Sequence, residues 1–231
     1  KDALAMRELV RSKKIGHLTI IGAGLIGMEA ADALFSPRLK VTLCEAQPQL
    51  LPKLLDADMA ALVEQEVRNR GVEILVSCQV QGLIAGESGA VAQVNTANGV
   101  IETDAVILAI GTSPTVELAR AAGIELGVTG AIKVNGHLQT GDPVIYAGGD
   151  CVENYDLISG QHVYAPLAST ANKHGRIIAD NIAGRNAVFP GVAKTSVLQC
   201  FDYNIGRTGL GEEEAINKGL DVSAIIVSGY D

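Results

Sequence analysis

Short, unbroken apolar runs alternate with amphipathic stretches in the N-terminal part of the chain. This is the pattern of strands buried on both faces of a parallel sheet with helices laid against them. Leu18 to Ile21 is the first such run, and a helix from Leu25 to about Phe35 follows, ended by Ser36-Pro37-Arg38. Val41 to Cys44 reads as a second strand, and Pro48 and Pro52 mark a loop. Asp56 or Asp58 can cap a helix running to Arg70, with Met59, Leu62, Val63 and Val67 on one face and Gly71 as its left-handed stop. With a third strand at Val72 to Val76 the order is βαβαβ, the unit of a doubly wound parallel sheet. The pattern then turns to hairpins, with runs at Gln79–Ala85, Ala90–Asn95 and Val100–Glu102, and Asn98-Gly99 as a two-residue turn. These predict an antiparallel meander, after which Ala105 to Ile110 rejoins the parallel sheet and Gly111-Thr112-Ser113-Pro114 breaks it.

Beyond that break the elements are shorter. A helix is expected at Val116–Ala122, stopped by Gly123, and strands at Ile132–Val134 and Val144–Tyr146, the second leading to Gly148-Gly149-Asp150. The segment Tyr164 to Thr170 leads into a helix that runs to about Ile182 and stops at Gly184, and Phe189-Pro190-Gly191 reads as a linker. From Ser196 a strand, a glycine-rich turn at Gly206–Gly211, a helix at Glu212–Lys218 and a strand at Val222–Val227 begin another unit, whose apolar Ile225 and Ile226 need a partner. The expected regions are 1–112, 113–190 and 195–231.

A hydrophobic content of 48% with 19% charged residues marks a well-packed globular protein, and a net charge of -8 without a basic cluster argues against a nucleic-acid surface. The longest apolar run, Ala105 to Ile110, has the length of a buried strand and falls far short of a membrane span. The first residues, Lys-Asp-Ala-Leu-Ala-Met-Arg, carry neither the apolar core of a signal peptide nor an initiating methionine. A cytoplasmic protein whose chain begins mid-sequence is the expectation. Cys44, Cys78, Cys151 and Cys200 show no metal-site spacing and read as reduced, mostly buried thiols. His17, His137, His162 and His174 form no catalytic set, and His174 reads as a solvated helix residue.

Chemistry enters with Gly22-Ala23-Gly24-Leu25-Ile26-Gly27, placed between the first strand and the first helix. Gly22 permits the tight turn, Gly24 lets the backbone approach a pyrophosphate, and Gly27 lets the helix pack on the sheet. The helix then aims its free N–H groups and positive dipole end at the phosphates. Glu45, at the carboxyl end of the second strand, can accept both hydroxyls of an adenosine ribose and would repel a 2′-phosphate. A dinucleotide site that favours NAD(H) over NADP(H) follows.

Four motifs in order extend this reading: Gly22-Ala-Gly24-Leu-Ile-Gly27-Met-Glu29, Leu108-Ala-Ile-Gly111-Thr-Ser-Pro114, Ile145-Tyr-Ala-Gly-Gly149-Asp150, and Pro166-Leu-Ala-Ser-Thr-Ala-Asn172-Lys-His-Gly175-Arg176. Together they resemble the flavin-dependent pyridine nucleotide-disulfide oxidoreductases, in particular the branch of coenzyme A disulfide reductases, NADH oxidases and NADH peroxidases. The likeness covers nearly the whole chain. It implies a Rossmann-like α/β fold for FAD and NAD(P), with the start of an α+β interface domain from about Ser196, through which a parent protein would dimerise. It further implies that Leu25, Ile26, Glu29, Ile110 and Gly111 join the glycines and Glu45 in holding NAD(H), with Glu29 near the nicotinamide. Gly149 and Asp150 would hold the ribitol of FAD, and Pro166, Leu167, Ala168 and Ser169 would face the flavin. In this order the regions become an NAD(H) domain at 1–112, the second half of an FAD domain at 113–190 and a partial interface domain at 195–231.

The chain departs from the family in two respects: it carries no second GxGxxG, and none of its cysteines matches the reactive one. Cys151, beside Asp150, would lie at the ribitol and reads as structural. The implied parent activity is hydride transfer from NADH to FAD, then electron transfer to a disulfide, peroxide or oxygen. A reductase serving a ferredoxin-type, oxygenase or nitrite reductase partner is the alternative, and a non-catalytic NADH-binding module ranks below both. The isolated chain is expected to bind NADH, retain FAD weakly or not at all, and not turn over.

Overall fold

The computed structural model describes residues 2–12 and 14–229, so Lys1 and Asp231, the outer ends of the expected regions, lie outside it. The chain divides into two compact units: the first holds residues 1–111, 197–206 and 211–231, the second 112–196 and 207–210.

The first unit opens with α1 (Asp2–Arg11), a helix not expected from the sequence. Met6 and Val10, one turn apart, lean on the core. Strand β1 (His17–Ile21), α2 (Leu25–Leu34), β2 (Lys40–Cys44), α3 (Ala57–Asn69) and β3 (Glu73–Leu75) follow in the expected alternation. Next come β4 (Val80–Ala85), β5 (Val91–Thr96) and β6 (Gly99–Glu102), an antiparallel meander in sequential order, and then β7 (Ala105–Leu108). The parallel sheet has the order β3-β2-β1-β7. The chain moves outward on one side of β1 and returns on the other, so the crevice at the carboxyl ends of β1 and β7 is a topological switch point. Leu18, Thr19 and Ile20 of β1 and Val41, Thr42 and Leu43 of β2 are buried, as strands covered on both faces require.

Two expectations about α3 change. Its buried face is Ala60, Val63 and Val67, with Val63 and Val67 in the core, while Met59 and Leu62 are exposed. Asp56 occupies the N-cap position of α3 and its backbone carbonyl accepts the Ala60 N–H, but its side chain makes no cap bond there, and the Asp58 carboxylate accepts the Met59 N–H. The Asp56 carboxylate is engaged elsewhere, as described below.

The second unit contains α4 (Glu117–Ala121), β8 (Asn154–Tyr155), β9 (His162–Val163) and α5 (Ala168–Ile182), and a small core of Val116, Ile132 and Val152 on which Ala119 of α4 packs. The strands expected at Ile132–Val134 and Val144–Tyr146 are reduced to single bridges, Ile132 with Leu126 and Val152 and Tyr146 with Gln139. Reverse turns such as Gly127–Gly130 and Asn135–Leu138 leave too little straight chain for a ladder. Phe189-Pro190-Gly191 is no linker: the Phe189 N–H donates to Gly136, and a Cβ on Gly191 would lie 2.5 Å from the Tyr155 carbonyl oxygen.

Past the second unit, β10 (Ser196–Cys200) and β11 (Tyr203–Arg207) form a hairpin whose Leu198, Cys200 and Ile205 join the core of the first unit. Helix α6 (Glu212–Asn217) follows, and Asp56 caps it, accepting the Glu212 N–H at 2.9 Å. Val222 to Val227, expected as a strand, pairs with nothing among the described residues, and Ile225, Ile226 and Val227 are exposed. Among the described residues no helix is long and apolar enough to cross a membrane.

Candidate functional site

The turn after β1 is held from three sides. Gly22, at φ +102°, passes so close to β7 that a Cβ would lie 2.4 Å from the Ala109 carbonyl oxygen. Its N–H donates to the Cys44 carbonyl at 2.7 Å. A Cβ on Gly27 would lie 1.9 Å from the Gly22 carbonyl oxygen, so α2 rests directly on the turn. Gly24 is different: a Cβ there would meet nothing within 4 Å. The first two glycines are required by the protein's own packing, whereas Gly24 leaves open space beside the backbone at the N-terminus of α2. The N–H groups of Leu25, Ile26 and Gly27 find no acceptor among the described residues, and Gly24 supplies no side-chain cap. Such a helix start attracts an anion.

Glu45 is 8% exposed. One carboxylate oxygen accepts the Ala23 N–H at 2.7 Å and the other the Gln47 N–H at 2.9 Å. The sequence reading places this acid opposite a ribose, and the structure adds a duty it did not assign, clamping the glycine turn from below. The β1/β2 register, with Ile21 beside Cys44, sets this up by bringing the next residue of each strand together. Each carboxylate oxygen keeps a second lone pair for an outside donor.

Around the open side of the turn the exposed surface is apolar, with Ile26 56%, Leu108 62% and Ile110 74% exposed. Strand β7, expected to reach Ile110, ends at Leu108, and although the Ala109 N–H still donates to the Ile21 carbonyl at 2.7 Å, Ile110 beyond it is presented to solvent. Glu29 is exposed on α2, and Gly111, at φ +107°, ends the segment. Leu25 is half-buried.

In the second unit, Gly148-Gly149-Asp150 is seated on α5. A Cβ on Gly148 would lie 2.8 Å from Ile178 Cδ1 and 3.0 Å from His174 Cβ. Gly149, at φ +85°, donates its N–H to His174 Nδ1 at 3.0 Å. Asp150 is exposed, and its carboxylate accepts no hydrogen bond among the described residues. Helix α5 begins at Ala168 with Leu167 as N-cap and no side-chain cap, so the Ser/Thr-capped start that this sequence can make is not formed. Pro166 and Leu167 are half-buried, and Ala168 and Ser169 are exposed in the first turn.

His174 overturns the expectation of a solvated residue. It is 0% exposed and packs edge-to-face on Phe189, with ring centroids 4.4 Å apart. Burial pushes its pKa below the usual histidine value, partly offset by the Asp150 carboxylate. The neutral ring accepts from Gly149 at Nδ1 and therefore carries its proton on Nε2, which has no hydrogen-bond partner. Sequence spacing gives little sign of this, because the partner glycine is 25 residues away.

Two of the thiols, Cys44 and Cys200, are poor nucleophiles. Burial, with Cys78 adding to it, pushes the Cys44 pKa up to about 12, and burial does the same to Cys200. Cys151 is half-buried and donates weakly to the Gly148 carbonyl at 3.4 Å, a packing role. Among the described residues no group of three or more potential metal ligands gathers.

A pyridine nucleotide-disulphide oxidoreductase model matches residues 1–175, a span holding both the glycine turn of the first unit and the Gly-Gly-Asp turn of the second. The chain belongs to this family. Among individual members of the pyridine nucleotide-disulphide oxidoreductases it is 35% identical over 228 residues to a CoA-dependent NAD(P)H sulfur oxidoreductase of Pyrococcus abyssi, a match covering 98% of this chain and 50% of that protein. The structure of an NAD-dependent persulfide reductase from A. fulgidus matches with a TM-score of 0.90 and 39% identity, over 95% of this chain and 40% of that one. An FAD-dependent family member from Desulfovibrio vulgaris matches with a TM-score of 0.86 and 33% identity, over 93% of this chain and 55% of that one. The chain thus spans about half the length of the curated relatives it matches. These likenesses also bear out the Rossmann-like α/β fold.

Proposed function

We propose that the first unit binds NAD(H), that the second supplies part of an FAD site, and that both serve an NADH-dependent flavoprotein oxidoreductase. The observation that carries the reading is Gly24, the one glycine of the turn that packing does not require, beside three unsatisfied helix N–H groups. The N–H groups of Leu25, Ile26 and Gly27 would take the pyrophosphate. Glu45 would accept the ribose hydroxyls on its spare lone pairs and repel a 2′-phosphate. Ile26, Ile110, Gly111 and Glu29 would border the nicotinamide, the apolar ones shielding it from water.

The residues of the second unit fit FAD as well. Asp150 offers an exposed carboxylate without an internal partner, held beside a glycine at positive φ, and can accept the ribitol hydroxyls. Pro166 and Leu167 lead into a helix start whose free N–H groups at Ala168 and Ser169 favour negative charge. When bound, the flavin supplies the hydride-accepting and electron-passing chemistry, and the protein contributes binding and electrostatics. The sulfur and persulfide relatives favour a disulfide or persulfide acceptor, with peroxide and oxygen as alternatives to assay. We assign 1–112 as the NAD(H) domain, 113–190 as the second half of the FAD domain and 195–231 as the opening of an interface domain of a homodimeric parent. The free cysteines support a reducing compartment such as the cytoplasm.

An absorption spectrum of the purified chain, recorded before and after adding FAD and then NADH, tests the reading. We expect a colourless chain that takes up added FAD weakly and loses that uptake in Asp150→Ala. FAD uptake unchanged in Asp150→Ala would contradict the assignment.

A further inference from the structure

We propose that His174 is a positioning residue for the flavin site: its neutral imidazole, by accepting the Gly149 N–H at Nδ1, sets the Gly148-Gly149-Asp150 turn and so aims Asp150. The proposal rests on the reading of Asp150 as a partner of FAD. Asp150 itself makes no hydrogen bond among the described residues that would fix its carboxylate, so its direction follows from the backbone that carries it. Strong ties flank the turn, with the Ala147 N–H donating to the Leu138 carbonyl at 3.0 Å and the Cys151 carbonyl accepting the Ile132 N–H at 2.8 Å, but those made by Gly148 and Gly149 to their near neighbours are weak. The Val152 N–H reaches the Gly149 carbonyl at 3.5 Å, and the Cys151 thiol reaches the Gly148 carbonyl at 3.4 Å, both long or weak. The bond from Gly149 to His174 is shorter, at 3.0 Å.

The imidazole is in turn held on its other sides. Gly148 lies on the His174 Cβ, with no room for a side chain between turn and helix. Phe189 meets the ring edge-on at 4.4 Å, and the Phe189 N–H is anchored to the Gly136 carbonyl at 2.8 Å. Farther along α5, Asn181 donates to the carbonyls of His137 and Ala187, both at 2.9 Å, which fixes the segment that delivers Phe189. Full burial at 0% exposure gives the site its discrimination. A side chain without an acceptor would leave the half-buried Gly149 N–H without its partner on α5. Size and helix propensity alone do not require histidine here. What the turn requires is an acceptor at this position, which histidine supplies and glutamine can supply as well.

The test uses the 231-residue chain with His174→Gln and His174→Met, side chains of similar length of which only Gln carries a strong acceptor. Nitrogen-15 NMR of the wild type reads the tautomer, amide hydrogen exchange reads Gly149, and titrations with FAD and with NADH read the two sites. We expect an unprotonated Nδ1 in the wild type. Gly149 exchange should be similar in wild type and His174→Gln and roughly tenfold faster in His174→Met. FAD affinity should follow the same order while NADH affinity stays level. A proton on Nδ1, or equal Gly149 exchange in the Gln and Met variants, would overturn the proposal, and the tautomer decides it even if His174→Met does not fold. An FAD titration that is flat in the wild type, or unchanged by Asp150→Ala, overturns the flavin reading and the aiming of Asp150 with it. Gly149 exchange separately decides whether His174 holds the turn.

Discussion

Glu45 joins two jobs in one carboxylate, and they can be separated. In Glu45→Gln one amide oxygen can still accept the Ala23 N–H, whereas Glu45→Ala leaves the N–H groups of Ala23 and Gln47 both unmet. We expect Glu45→Ala to lower stability by about 1–3 kcal/mol and Glu45→Gln by less. Both should narrow the preference for NADH over NADPH, as read by paired titrations and urea melts. The histidines add a pH dependence. His17, whose Nε2 lies 2.8 Å from the Thr42 hydroxyl, has its pKa lowered by burial and by Lys40, and His174 is lowered by burial. A histidine whose folded pKa lies below its ordinary 6.5 binds more protons when unfolded, so its stabilisation is complete above that pH. It is lost as pH falls from there toward the folded pKa. Glu73, tied by Lys40 and Thr42, and Asp104, tied by the N–H groups of Gly16 and His17, are lowered as well. Their stabilisation persists above the ordinary carboxylate range and goes as pH falls through it. Urea melts across pH should show two separate losses, and His174→Gln should shrink the upper one.

At the scale of elements, the hairpin β10–β11 joins the core of the first unit, and helix α6 belongs to the same unit. Leu198→Ala should therefore cost about 2–5 kcal/mol, the range of a buried leucine that leaves a cavity, and Asp56→Ala about 1 kcal/mol through the lost cap on α6. Equal stability of wild type and Leu198→Ala in a urea melt would show that the hairpin is peripheral. The elements of the parallel sheet are legible in the sequence because its strands centre on short, mostly aliphatic runs and Gly22 and Gly27 answer local packing demands. What stays hidden depends on partners far along the chain. Asp56 reads as the cap of its own helix and caps another one more than 150 residues on, separated by 156 positions. His174 looks solvated until Phe189 and Gly149 close over it, and Val222–Val227 carries a strand composition with no neighbour to pair with. Ile132 and Tyr146 sit in strand-like runs that turns cut down to bridges.

Taken whole, the chain carries an uncapped helix start beside a packed glycine turn in each of its two units, one with a clamped acid and the other with a free one. A ligand that binds the folded chain alone raises its stability with the logarithm of its concentration above Kd, by about 2.7 kcal/mol at a hundredfold excess. NADH should therefore raise the melting temperature more than NADPH at equal concentration. The most direct measurement is a titration of the wild-type chain and Gly24→Val with NADH, followed by nicotinamide fluorescence. Gly24 has open space beside it, so valine should fold there and fill the place of the pyrophosphate. Saturable binding by the wild type that weakens more than about tenfold in Gly24→Val is the predicted result, a loss of at least ~1.4 kcal/mol. Binding that is absent from the folded wild type, or undiminished by valine, would contradict the account.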